Sequence, residues 1–174
     1  MLKNICLTAA MTAMSLMGLG AIAHAQSMHV PMSYLEPNGA QHSIGQVEFT
    51  DSQYGLLISP QLKNLTPGMH GFHVHQTPDC HQQGMAAGGH FDPKNTGKHL
   101  GPYDVMGHQG DLPVLVVNEK GEATGVWLAP KLRVDDLRGH ALIIHAGGDN
   151  YSDQPQPLGG GGARIACGVM LNQS

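Results

Sequence analysis

Apart from one short stretch, nothing between Gly45 and Met170 repeats its apolar residues at helical spacing, and this limits the fold more than any other feature. Gly45, Val47 and Phe49 alternate with Gln46 and Glu48, and Tyr54, Leu56 and Ile58 continue on one face. A period of two belongs to strands, whose successive side chains point to opposite faces. Thr50-Asp51-Ser52 suggests the hairpin turn between these two strands, and Pro60 the end of the second. Further strands are expected over residues 70–75, 112–118, 123–129, 140–145 and 163–170, with Asn118-Glu119-Lys120-Gly121 as another hairpin connection. The one helical candidate, residues 133–138, has room for a turn or two. Residues 26–41 carry turn signals and little periodicity. Short strands with Gly- and Pro-rich connections favour an all-β, antiparallel sandwich or barrel.

The amino terminus reads as a secretory leader. Lys3 is the only charge before position 26, an apolar run from Ile5 to Ala23 follows, and Ala23-His24-Ala25 supplies a small-x-small cleavage site. The run lacks the basic flank of a stop-transfer anchor, and no later apolar stretch is long enough to span a membrane. Export and removal of residues 1–25 are expected, leaving an extension over 26–41 and one domain over 42–174. Nine basic residues stand against thirteen acidic ones; loss of Lys3 leaves a net charge of −5, which argues against a nucleic-acid partner. Cys6 leaves with the leader. Cys80 and Cys167 remain, and a pair in an oxidising compartment reads as one disulfide. Closing 87 intervals of chain, it would stabilise the fold by about 4–5 kcal/mol.

Two long stretches, residues 76–111 and 146–162, break the rhythm of strands. Loops of that length are functional or disordered, and these hold residues of metal-binding type. In Gly71-Phe72-His73-Val74-His75 a strand would turn both imidazoles to one face and Phe72 and Val74 to the other. His90, His99, His108 and Asp111 then fall within 22 positions of a Gly-rich loop, a donor set suited to tetrahedral zinc. Asp92 is a rival ligand, although its place beside Pro93 also suits a turn. His145 ends the apolar run Ala141-Leu142-Ile143-Ile144, and Asp149 follows four residues later.

The series GFHVH, GGHFDPKNTGKHLGP, GHQGDLP, IIHAGGDN and PLGGGGARIACGV resembles, in order and over roughly residues 42–171, the bacterial copper–zinc superoxide dismutases. That resemblance implies a Greek-key β-barrel of immunoglobulin-like sandwich architecture. It implies copper ligands His73, His75, His90 and His145, and zinc ligands His90, His99, His108 and Asp111, with His90 bridging both ions. Asp149 would be the carboxylate linking a copper histidine to a zinc histidine. Arg164, three residues before Cys167, would attract and orient a small anion. The implied reaction is dismutation of superoxide to dioxygen and hydrogen peroxide by Cu(II)/Cu(I) cycling, with one proton passing through His90. Periplasmic residence follows from the resemblance and the leader; a monomer and a homodimer are both compatible with it.

Other residues are expected to do less. His70 suits a structural hydrogen bond, and His42 and His140 lack ligand-like neighbours. His81 sits in an exposed loop where an extra metal or haem contact is conceivable, and Trp127 suits core or interface packing. Met28, His29 and Met32 offer soft and imidazole donors for copper in what reads as a flexible tail. Residues 147–162 contain Asp149 and Asp153 but no Lys or Arg, so steering of an anion falls to Lys94, Lys98 or another lysine. A metal-binding protein without catalysis would be compatible with the ligand set alone; Arg164 favours an enzyme. An electron carrier of the blue-copper type would need a Cys ligand, which the disulfide removes.

Overall fold

A computed structural model describes residues 25–171, so the leader read over residues 1–25 lies, but for Ala25, outside the described residues. Among the described residues the regular structure is β1 (Ser27–Leu35), β2 (Gln41–Ser52), β3 (Gly55–Leu62), β4 (Gly68–His70), β5 (Phe72–His75), β6 (Leu115–Val117), β7 (Trp127–Ala129), β8 (His140–His145) and β9 (Arg164–Met170). Short 3-10 turns at Met85–Ala87, Val134–Leu137 and Pro157–Gly160 complete it. Alternation makes the strands. Val47 and Phe49 of β2 and Leu56 and Ile58 of β3 are fully buried, while the residues between them are more exposed. At Gly45, with φ +124°, β2 bulges opposite Met32 and Ser33 of β1 and its alternation changes phase. A side chain there would place a Cβ 2.0 Å from the Gln61 carbonyl oxygen.

All strand pairs among the described residues are antiparallel. Seven strands follow one another in the order β5-β8-β9-β1-β2-β3-β7, and β4 pairs with β6. Gly71 separates β4 from β5, letting one stretch of chain leave β6 and join β8. β6 turns through the Asn118–Gly121 hairpin toward Ala123, which bridges Leu62 of β3. This brings the two margins of the large sheet together, giving the Greek-key β-barrel. Ile44, Phe49, Leu56, Phe72, Leu115 and Leu142 meet in its interior.

Several expectations need correction. Residues 27–35 are not a flexible tail: β1 lies between β2 and β9 and buries Met28, Val30 and Met32 in the core. Buried thioethers are not available to capture copper, and His29 instead faces outward near Glu48. β1 tolerates Pro31 because its pairing with β9 is confined to Ser33 and Tyr34. Likewise β3 runs through Pro60 to Leu62, because β7 pairs only with Leu56, Leu57 and Ile58 and the edge is next bridged at Leu62 by Ala123, leaving it free at Pro60. The first hairpin turns at Gln53-Tyr54, with Thr50-Asp51-Ser52 still in β2. The helical candidate at 133–138 is the single 3-10 turn Val134–Leu137.

Candidate metal centre

β5 is the platform of the site. Phe72 and Val74 point into the core, and the opposite face carries His73 and His75, both fully buried beneath the long loops. The first loop returns along the edge of β5 as an irregular strand. Phe91 donates to the Val74 carbonyl (2.8 Å), Val74 to Gly110 (2.9 Å) and Gln76 to Gly89 (3.0 Å). These bonds place His90 beside His75 and Asp111 beside His73. Gly110 must lack a side chain, since a Cβ would lie 2.3 Å from the Val74 carbonyl oxygen. On the other side of β5, His145 ends β8, its N–H bonded to the Gly71 carbonyl at 2.8 Å.

Two donor sets converge here. One nitrogen each from His73, His75, His90 and His145 forms a buried group with all donor atoms within 4.8 Å of one another; His90, His99, His108 and Asp111 form a second on the same criterion. Among the described residues, six ring nitrogens are buried without a hydrogen-bond partner: Nδ1 of His73, His99 and His108, and Nε2 of His75, His90 and His145. A buried polar atom left unpaired costs about 1–3 kcal/mol, so six in one place call for a common partner. His99 Nδ1 and His108 Nδ1 lie 3.0 and 3.4 Å from Asp111 oxygens, yet are not aligned to bond them. They converge with the carboxylate on a point between them, as ligands of a cation do.

The outer nitrogens fix which atoms carry lone pairs. His75 Nδ1 meets the Gly88 carbonyl (2.9 Å) and His145 Nδ1 the Gly162 carbonyl (3.1 Å). A carbonyl only accepts, so both Nδ1 atoms carry the proton and both Nε2 atoms face inward bare. Asp149 does the same for the other half: its Oδ2 accepts from His73 Nε2 and its Oδ1 from His99 Nε2, both at 2.7 Å. The third possible group, His73, His99 and Asp149, therefore spends its donors on itself and supports the other two. Gly159 makes room for this carboxylate; a Cβ there would fall 2.0 Å from Asp149 Oδ1.

Burial, reinforced by His90, pulls His73 down to about 3, and burial pulls His145 down to about 4. Burial pushes the Asp111 carboxyl upward, but the imidazoles of His108, His90 and His99 outweigh this and hold it well below the usual carboxylate range. An unfolded histidine titrates near 6.5. As pH falls through that value the unfolded chain takes up protons first, so the stability tied to the neutral rings is complete above 6.5 and declines toward 3–4. Protein loaded with copper and zinc and dialysed at stepped pH is expected to hold the metal of the His73–His145 set at pH ~5, while its urea midpoint already falls. Loss of that metal near the ordinary histidine value would contradict this.

Arg164 opens β9 opposite His145 in the strand register. Its guanidinium is half-buried and donates to the Gly84 carbonyl (2.5 Å) and the Gly88 carbonyl (2.6 Å). Gly88 thus serves Arg164 and His75 at once. The Cys80–Cys167 disulfide, with Cα atoms 5.8 Å apart, ties this segment to β9.

The structure adds supports that the residue pattern did not reveal. Asp153, read only as a negative charge, accepts from the backbone N–H of His99 (3.0 Å) and of Leu158 (3.2 Å), joining the two long loops. The Tyr151 hydroxyl accepts from Val114 N–H at 2.9 Å. Asp92 spends its carboxylate on Gly97 N–H and the Thr96 hydroxyl, the turn role, and joins neither donor set. His70 places both ring nitrogens against carbonyls, of His145 (2.7 Å) and Thr66 (2.8 Å). His42 stacks on Tyr34, His140 packs against Phe91, and His81 pairs with Asp79.

A Greek-key barrel whose two long loops close over adjoining all-imidazole and imidazole–carboxylate donor sets defines an oxidoreductase of the two-metal type. Residues 43–170 match the family model described as copper/zinc superoxide dismutase (SODC). The chain is 50% identical over 154 residues to a superoxide dismutase [Cu-Zn] of Pasteurella multocida, covering 83% of each chain. Its fold is similar to that of a Cu/Zn superoxide dismutase from Brucella abortus, with TM-score 0.78, 45% identity, and coverage of 83% of this chain and 99% of that one. It is also similar to the solution structure of the monomeric copper, zinc superoxide dismutase from Salmonella enterica, with TM-score 0.72, 51% identity, and coverage of 83% of this chain and 99% of that one. The chain belongs to the copper/zinc superoxide dismutase family. It is an oxidoreductase that dismutes superoxide with copper and zinc.

Proposed function

We propose that His73, His75, His90 and His145 hold the copper, that His90, His99, His108 and Asp111 hold the zinc, and that Arg164 receives the superoxide anion. The six unpartnered buried nitrogens carry this reading. Copper, when bound, would supply a one-electron redox couple, and zinc would supply a fixed positive charge. The chain's own residues do the rest. His90 turns Nε2 to the first set and Nδ1, 3.0 Å from Asp111 Oδ1, to the second, so Nε2 is the atom at which a proton can be held and passed to the product. Asp149 fixes the tautomers of His73 and His99. Two Arg164 N–H groups are occupied by Gly84 and Gly88, which sets the plane of the guanidinium and leaves its other donors for the anion.

Arg164→Ala tests the anion role. It should lower the rate of superoxide removal by about tenfold or more through loss of steering, with copper and zinc content unchanged by atomic absorption. Loss of metal from the variant would make Arg164 a scaffold residue instead.

Export to the periplasm is part of the proposal, supported by the leader pattern and the disulfide. Among the described residues no helix is long and apolar enough to cross a membrane. A periplasmic fraction containing protein that begins at Gln26 is the expected result; full-length cytoplasmic protein would contradict it. The division into an extension over 26–41 and a domain over 42–174 is retained only as a boundary of resemblance, because β1 is part of the barrel. A homodimer is proposed on the exposed cross-strand pair Met69 and Val116. Sedimentation decides it, a monomer mass being the contrary result.

A further inference from the structure

The geometry points to Lys131 as a positioning residue for the zinc half of the site, a role that rests on the ligand assignment proposed above. Lys131 follows β7, outside both long loops, and its neighbours Leu132 and Val134 are buried in the core. Its ammonium donates to three carbonyl oxygens: Gly101 at 2.9 Å, Asp104 at 3.0 Å and His108 at 2.7 Å. An ammonium has three protons, so it is saturated and has no donor left for substrate.

All three acceptors belong to one closed segment. His108 N–H bonds back to the Lys98 carbonyl at 2.9 Å, closing residues 98–108 on themselves. Lys131 enters this segment from outside and gathers its inward carbonyls. Two of the three contacts bear on the second donor set. One is the backbone of His108 itself. The other is Gly101, whose N–H donates to Asp111 Oδ2 at 3.2 Å. Gly101 has φ +76° and faces the Tyr151 ring so closely that a Cβ would lie 2.7 Å from it. One cation thus sets the place of one ligand and of the group that orients another. Charge-assisted bonds of this kind are about twice as strong as neutral ones.

The test uses Lys131→Met, which keeps length and removes the donors, and Lys131→Arg, which keeps charge and donors. Zinc release from metal-loaded protein to a chromophoric chelator should be at least about tenfold faster in Lys131→Met, the scale of losing a group that orients a ligand, and should return toward the wild-type rate in Lys131→Arg. Cobalt(II) introduced in place of zinc should show an altered visible band in Lys131→Met, a change that mere loss of global stability does not produce. If Lys131→Met folds poorly, Lys131→Gln, which keeps two neutral donors, carries the same test with the same direction of change in release rate and cobalt band. A wild-type release rate together with an unchanged cobalt band would overturn the role of Lys131. His108→Ala separates this from the ligand reading: undiminished zinc content in that variant overturns the ligand assignment itself.

Discussion

Replacing His90 with alanine is expected to abolish practical dismutation and to weaken both metals together. His90 is the one residue common to the two donor sets, with its ring stacked 4.0 Å from that of His73 and its Nδ1 3.0 Å from Asp111. No neighbour can replace it, because the outer nitrogens of His75, His145, His73 and His99 are committed to Gly88, Gly162 and Asp149. Groups that merely orient a ligand are worth 10–100-fold in affinity, so a ligand shared by two ions should cost at least about 100-fold for each. Equilibrium dialysis against copper and zinc, with dismutation followed by pulse radiolysis, measures this. Loss of one metal at unchanged affinity for the other would mean that His90 belongs to a single site.

The second large effect concerns the disulfide. The double substitution Cys80→Ser and Cys167→Ser should lower unfolding free energy by about 4–5 kcal/mol, because the bond closes 87 residues of chain. Activity should fall as well. The bond anchors Cys80, whose carbonyl accepts from Gly84 N–H at 3.2 Å. The carbonyls of Gly84 and Gly88 in turn hold Arg164, and Gly88 also fixes the tautomer of His75. Urea unfolding of metal-loaded protein gives the first quantity. A loss of no more than about 1 kcal/mol, the scale of an average substitution, would make the bond incidental to stability.

What the sequence revealed depended on whether side-chain identity carries the information. In Phe72-His73-Val74-His75 the identities are sufficient: a period of two puts apolar residues on one face and imidazoles on the other, and the barrel uses both. The density of His and Gly in 76–111 marked a site loop for the same reason. Pro60 misled, since proline is a strand breaker only where both edges are paired, and pairing is a tertiary property. The Met28, Val30, Met32 alternation was present around Pro31 and could have identified β1. Backbone acceptors leave no trace in a sequence, so the carbonyls of Gly84, Gly88 and Gly162 that hold Arg164, His75 and His145 were not legible. The tie from Asp153 to the His99 backbone depends on two distant loops meeting, which pattern alone does not encode.

Anomalous diffraction at the copper and zinc edges, from crystals of protein reconstituted with both ions, bears most directly on the ligand assignment. The expected map has one copper peak among Nδ1 of His73 and Nε2 of His75, His90 and His145, and one zinc peak among Nδ1 of His90, His99 and His108 and the Asp111 carboxylate. A single peak, or either metal bound away from His90, would contradict the assignment.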